Sequence, residues 1–196
     1  MAQRMYSFNQ KAYPETGKGS CAALSTAWLF AMRQFPNEDP KRRMEELVEF
    51  AKTDAPKLQR RYENACNGTP DKSGHSLGRA YRELIPLPYQ PCDPKVGEAL
   101  GRVEMDLFGG YAERNGELGI LFTFHYSFFG CVQDHTIGLW GRSNSAFLFD
   151  ADLGEFKDAQ VKGLLVTHLN KTYGGRSKNR GFHYLHVRGQ KPSKTG

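Results

Sequence analysis

From Cys21 to Arg33 the chain is almost wholly apolar or small, and a helix of that composition belongs in the interior of a domain. Leu24, Ala27, Trp28 and Ala31 recur at the i, i+3, i+4, i+7 spacing of one helix face. Ala22, Ala23, Leu29, Phe30 and Met32 fill the remaining sides. The rest of the fold must be built around this segment. Ser20 precedes it as the expected N-cap, which places Cys21 in the first helical turn.

Pro36 to Pro40 break the chain, and a second helix is expected from about Lys41 with Met44, Leu47, Val48 and Ala51 on one face. Asp54 followed by Pro56 restarts a helix that runs to about Ala65. The loop CNGTPDKSG follows, then a short helix around Leu77–Leu84, an irregular stretch from Pro86 to Pro94 and a short helix near Val96–Leu100. From about Leu118 the pattern changes. LGILFTFHYSFFG, DHTIGLWG and SAFLFD read as strands, FKDAQVKGLLVTHLNKTY returns to helical spacing, and GFHYLHV closes as a strand. Helices first and a mostly antiparallel sheet afterwards define an α+β domain. The 196 residues contain no internal repeat and no interior linker, so a single domain spans 1–196, with a flexible leading segment (1–16) and tail (189–196).

The formal charge of +6 is unevenly placed. From Lys171 onward there are seven basic residues and no acidic one, leaving 20 of the 27 basic residues against all 21 acidic ones in the preceding body. A basic end of this kind is a solvated tail or a contact for an anionic membrane surface. Aromatics are not interleaved with these charges as a nucleic-acid stacking surface requires, so no nucleic-acid partner is expected. The four cysteines have no CxxC spacing, which points to free thiols in a reducing compartment. MAQRMYSFNQ has no apolar core of a cleavable signal peptide, and no apolar run approaches the ~20 residues that span a bilayer.

Chemistry concentrates on three residues. A thiol reacts as thiolate, a form favoured at a helix N-terminus or beside an imidazolium, and Cys21 meets the first condition. Gly17, Gly19, Ala22 and Ala23 leave room for a substrate backbone near its sulfur. Between DHTIGLWG and SAFLFD lies Arg142-Ser143-Asn144-Ser145, a tight-turn composition. If the two strands pair as a hairpin, two registers place an acid on the face of His135: one sets Asp150 directly opposite it, the other sets Asp150 on the diagonal with Asp152 opposite. A carboxylate beside a histidine fixes its tautomer and stabilises the imidazolium formed when it takes a thiol proton. Cys131, four residues before His135 on the same strand, is about 13 Å away along the chain, too far to share one metal ion with it. No metal and no cofactor is expected.

GKGSCAALSTAWL, DHTIGLWG and FDADLGEF resemble the Cys, His and Asp blocks of the YopT and AvrPphB type of papain-like cysteine protease, a group of bacterial effectors. The order of the blocks, the interval from His135 to Asp150 and the trailing Gly154-Glu155-Phe156 all match. The resemblance implies a papain-like fold with Cys21 as nucleophile, His135 as general base, Asp150 as orienter and Asp152 as neighbouring support. It implies an endopeptidase made in a bacterial cytoplasm and translocated into a target cell, acting on a protein substrate such as a small GTPase or kinase. A cognate inhibitor or immunity protein is expected if the target is another bacterium. The same triad also serves deamidases, amidases and acyltransferases, and the fold also serves non-catalytic binding. One part of the pattern is missing. The oxyanion donor expected a few residues upstream is replaced by Glu15, Thr16 and Gly17, leaving the Cys21 N–H with Asn9 or Gln10, farther back, to form the hole.

Overall fold

The protein is described by a computed structural model over residues 2–17, 19–67, 80, 83–84, 89–91, 117–128, 131–142, 145–158, 163–174 and 182–188. Three helices lie together in the first part of the chain: α1 (Cys21–Gln34), α2 (Pro40–Thr53) and α3 (Ala55–Asn67). Strand β1 (Gln3–Ser7) precedes them, and β2 (Tyr89–Pro91), β3 (Glu117–Phe128), β4 (Cys131–Arg142), β5 (Ser145–Asp150) and β6 (Gly154–Asp158) follow. Helix α4 (Leu164–Tyr173) and strand β7 (Phe182–Arg188) complete the order. The strands form one sheet in the order β1-β6-β5-β4-β3-β7-β2, with every pairing antiparallel. The α+β expectation holds. Among the described residues no helix is long and apolar enough to cross a membrane.

The sheet separates two apolar layers, and the alternation of its side chains decides which residue joins which. Ile120, Phe122 and Phe124 of β3, Ile137 and Leu139 of β4 and Leu148 of β5 pack with Leu164, Leu165 and Leu169 of α4. Leu121, Trp140 and Phe149, on the opposite face, pack with Leu24, Trp28 and Leu29 of α1 and with Met44 and Leu47 of α2. Helix α1 is held close to β4. Gly138 makes this possible, because a Cβ there would lie 2.7 Å from the Trp28 ring. Trp28 stacks on Phe149 with centroids 5.7 Å apart, and the Ser25 hydroxyl donates to the Thr136 carbonyl at 3.0 Å. Those contacts set where Cys21 stands relative to the strand that carries His135.

A buried ion cluster fastens α2 to the sheet. Arg43 Nε and Nη2 each donate to Glu155 of β6 at 2.9 Å, and Trp28 Nε1 donates to the same carboxylate at 2.8 Å. Glu155 is fully buried and Arg43 nearly so.

Three expectations need correction. The leading segment is not a flexible stretch: β1 pairs with β6, and two short 3-10 turns, Gln10–Ala12 and Pro14–Thr16, carry the chain to α1. Gly154 allows this approach, since its φ is +114° and a Cβ would collide with the Tyr6 carbonyl and the Phe8 N–H. FKD is not the start of a helix; it belongs to β6, where Glu155 points to the α1 face and its neighbour Phe156 to the α4 face in the alternation of a strand, and α4 begins only at Leu164. Within the stretch from Pro86 to Pro94, Tyr89–Pro91 is a strand paired with β7. The expected helix near Val96–Leu100, most of the one around Leu77–Leu84 and the tail from 189 lie outside the described residues.

Candidate active site

Cys21 opens α1, as its sequence position requires, but Ser20 does not cap the helix with its hydroxyl. The cap is assembled from a distance. Gln59 of α3 accepts the Ala23 N–H through Oε1 at 3.1 Å, and Gln10 accepts the Ser20 N–H through Oε1 at 2.7 Å. Among the described residues no acceptor takes the N–H of Cys21 itself. Neither Cys21 nor Cys66 is in a disulfide; burial, the largest influence, pushes the Cys66 thiol upward.

Register brings base and acid together. Ile137 pairs with Asp150, so Asp150 lies on the diagonal from His135, the second of the two registers that keep both on one face. The ladder to β5 ends at that pair, and His135 stands just past it. Its Nε2 meets Asp150 Oδ1 at 2.9 Å, and the Cys21 side chain stands close enough to the ring to influence its charge. With Nε2 committed to the carboxylate, Nδ1 is the nitrogen left for the sulfur. Phe124 and Tyr126 wall the imidazole edge-on, with centroids 5.6 and 6.3 Å away.

Asp150 is fully buried and accepts four hydrogen bonds. Oδ1 takes His135 and, at 2.9 Å, the N–H of Asp152; Oδ2 takes His168 Nε2 at 2.8 Å and the Tyr173 hydroxyl at 2.9 Å. The Asp152 N–H bond is an Asx turn, which is why β5 stops there. Burial by itself would raise this carboxyl, but the charge and hydrogen bond of His135 and those of His168 outweigh it and hold it far below the usual carboxylate range. Burial likewise opposes the charged form of His135, yet Asp150 and, to a smaller degree, the neighbouring Cys21 side chain lift it well above the ordinary imidazole value. Tyr173 is driven upward by its burial and by the neighbouring carboxylate, so it stays a donor.

These opposite shifts give stability a defined pH window. A depressed acid contributes stability above its unfolded value of about 4 and loses it as pH falls through the folded one; a raised histidine contributes below about 6.5 and loses it as pH rises through its folded value. The contribution of the pair should therefore be greatest between about pH 4 and 6.5 and decline on the alkaline side as His135 gives up its proton. Denaturation midpoints measured from pH 4 to 9 should show that decline, and His135→Gln should flatten it.

The remaining candidates divide. Gln10 is buried beside the start of α1; its Nε2 donates to Asp152 Oδ1 at 2.8 Å, and Lys11 Nζ reaches Oδ2 at 2.9 Å. That contact is the largest of the influences raising the Lys11 ammonium above its usual value. Asn9 is exposed and spends its side-chain oxygen on the Lys11 N–H, capping the first 3-10 turn, so it is not placed to serve an oxyanion. Asp152 accepts from Gln10 through its carboxylate and gives its own N–H to Asp150. Two participants, His168 and Tyr173, escaped sequence reasoning. His168 shares the apolar face of α4 with Leu164, Leu165 and Leu169, and a histidine on such a face requires a buried partner. A cleft of about 670 Å³ opens beside Cys21, between Gln59, Tyr62 and Glu63 of α3 and Thr123 and Thr136 of the sheet.

This arrangement is that of a papain-like fold. Over 89% of the chain it is similar to the crystal structure of the Pseudomonas avirulence protein AvrPphB, with a TM-score of 0.61, 19% identity and 94% of that protein covered. It is also similar, over 95% of the chain, to the ubiquitin-specific protease of murine cytomegalovirus tegument protein M48 bound to a ubiquitin-based suicide substrate. There the TM-score is 0.56 at 12% identity, with 84% of that chain covered. No family model matches the sequence, and no curated protein does.

Proposed function

We propose that this protein is a cysteine endopeptidase acting on a protein substrate through an acyl-thioester, with Cys21 as nucleophile, His135 as general base and Asp150 as its orienter. One observation carries the reading: a single buried imidazole, bonded to a carboxylate with all its acceptor positions filled, stands beside the thiol at the head of the central helix. His135 takes the thiol proton at Nδ1, the thiolate adds to the scissile carbonyl, and the imidazolium returns the proton to the leaving amine. Water, deprotonated by the same imidazole, then cleaves the thioester. The oxyanion is met by the Cys21 N–H and by Gln10, whose amide nitrogen gives one hydrogen to Asp152 and keeps a second. Substrate lies in the cleft beside Cys21. The likeness to a viral ubiquitin-specific protease supports a folded protein as target, and the likeness to an avirulence protein supports delivery into another cell.

Iodoacetamide tests the reading directly. At pH 5, peptide mapping should find Cys21 alkylated at least tenfold faster than Cys66, because Cys21 stands beside the His135 imidazole while burial pushes the Cys66 thiol up. Equal rates would defeat the proposal. On a protein target, two fragments identify proteolysis, whereas a gain of about one dalton without cleavage would replace it by deamidation.

A further inference from the structure

We propose that His168 and Tyr173 are positioning residues for the Cys21–His135 pair, acting through Oδ2 of Asp150. This inference rests on the cysteine-protease reading above and extends the site onto α4, an element outside the three blocks that carry the nucleophile, base and acid.

A carboxylate buried away from water must have its lone pairs met by the protein. Each of its two oxygens accepts about two hydrogen bonds, and at Asp150 all four places are filled. The two donors on Oδ1, His135 and the Asp152 N–H, do not by themselves prevent the group from turning about its Cβ–Cγ bond. The two on Oδ2 do, because they come from one rigid helix on the far side. His168 and Tyr173 are themselves pinned: the His168 ring packs edge-on against Phe156 at 5.0 Å, and the Tyr173 ring lies 5.0 Å from Phe124 and 5.6 Å from His135. Tyr173 thus touches both the carboxylate and the imidazole that it orients. An Asp150 missing the Oδ2 donors would sit in the interior with acceptors unmet, and could relieve that only by turning or by taking up a proton. Either change loosens the Oδ1 contact with His135, and with it the placement of the imidazole that faces Cys21.

Among the described residues, the charged and titratable groups near the Asp150–His135 pair include Tyr126 of β3, Cys21 of α1, Asp152 after β5 and Lys11 of the first 3-10 turn. None of these reaches Oδ2 in place of the two α4 donors.

Alkylation of Cys21 by iodoacetamide at pH 5 and pH 9 tests the proposal without any substrate. His168→Leu and Tyr173→Phe should each slow the reaction at pH 5 about tenfold and leave it nearly unchanged at pH 9, where thiols in general react without help from an imidazolium. His168→Gln, which keeps an N–H donor at similar reach, should restore most of the pH 5 rate. Unaltered pH 5 rates in both donor-deleting variants would overturn the assignment. So would equal losses at both pH values accompanied by a fall in Tm, because that pattern marks a merely structural role. If instead wild-type Cys21 reacts no faster than Cys66 at pH 5, the cysteine-protease reading fails, and this one fails with it.

Discussion

Cys21→Ala should lower peptide-bond cleavage by about a millionfold, leaving only the residual catalysis that binding and the oxyanion hole supply, while the Tm stays within a degree or two of wild type. The size follows from the way nucleophile and base act as one unit: removing either removes the covalent step, so His135→Ala should cost nearly as much and the double variant no more. A proteome-derived peptide library, scored by mass spectrometry for new termini, reads the loss whatever the natural target is. Asp150→Asn provides the contrast. Its amide nitrogen would face donors in place of an acceptor, leaving two of the four bonds to Asp150 unmade in an interior without water to replace them. Activity should fall by about ten-thousandfold, as expected when a histidine is held in the wrong tautomer, and here the fold should weaken as well. Full cleavage by purified Cys21→Ala protein would falsify the assignment of the nucleophile.

Those three residues were legible because each is announced by its local pattern. An apolar helix beginning at a cysteine, and a short hairpin with histidine and aspartate on compatible parity, need only local rules and one assumption about pairing. Register itself was open between two alternatives, since turn composition does not choose between them; the Ile137 to Asp150 pairing chooses the diagonal one. What could not be read depends on contacts distant in sequence. Gln10 approaches the helix start because β1 is drawn across Gly154 onto β6, a partnership that leaves no mark in the polar text of the first ten residues. Asn9 and Gln10 are adjacent in the chain, yet one is exposed and the other buried, a difference set by the 3-10 turn between them and α1. His168 had a readable signal in its place on an apolar helix face, but its partner lies 18 residues away on another element. Glu155 is the clearest case: its position after Gly154 read as part of a block, and only the fold reveals that it is paired with Arg43, 112 residues earlier.

That pair governs the second large effect. Arg43→Met should destabilise the protein by about 3–5 kcal/mol, the usual consequence of leaving one member of a buried ion pair without its partner. For a chain of this length the Tm should fall by about 10 °C. The loss arises less from the removed attraction than from the stranded Glu155 carboxylate, which has no exposure to solvent. Arg43→Met combined with Glu155→Gln should therefore recover most of it, since a neutral amide retains an oxygen for the Trp28 indole N–H, held at 2.8 Å in the native site. Arg43→Met combined with Glu155→Leu should recover less, because that indole donor would be buried without an acceptor. Urea midpoints of the four proteins decide between the two explanations. If both double variants are as unstable as Arg43→Met alone, the arginine acts by packing its guanidinium and stem between α2 and the sheet rather than by neutralising Glu155. The catalytic consequence follows from the same geometry. Trp28 presses on Gly138, and Ser25 of the same helix is bonded to the residue after His135, so loosening the cluster should widen the gap between sulfur and imidazole before the fold is lost. Alkylation of Cys21 at pH 5 should therefore slow in Arg43→Met at temperatures well below its Tm and recover in the Glu155→Gln double variant.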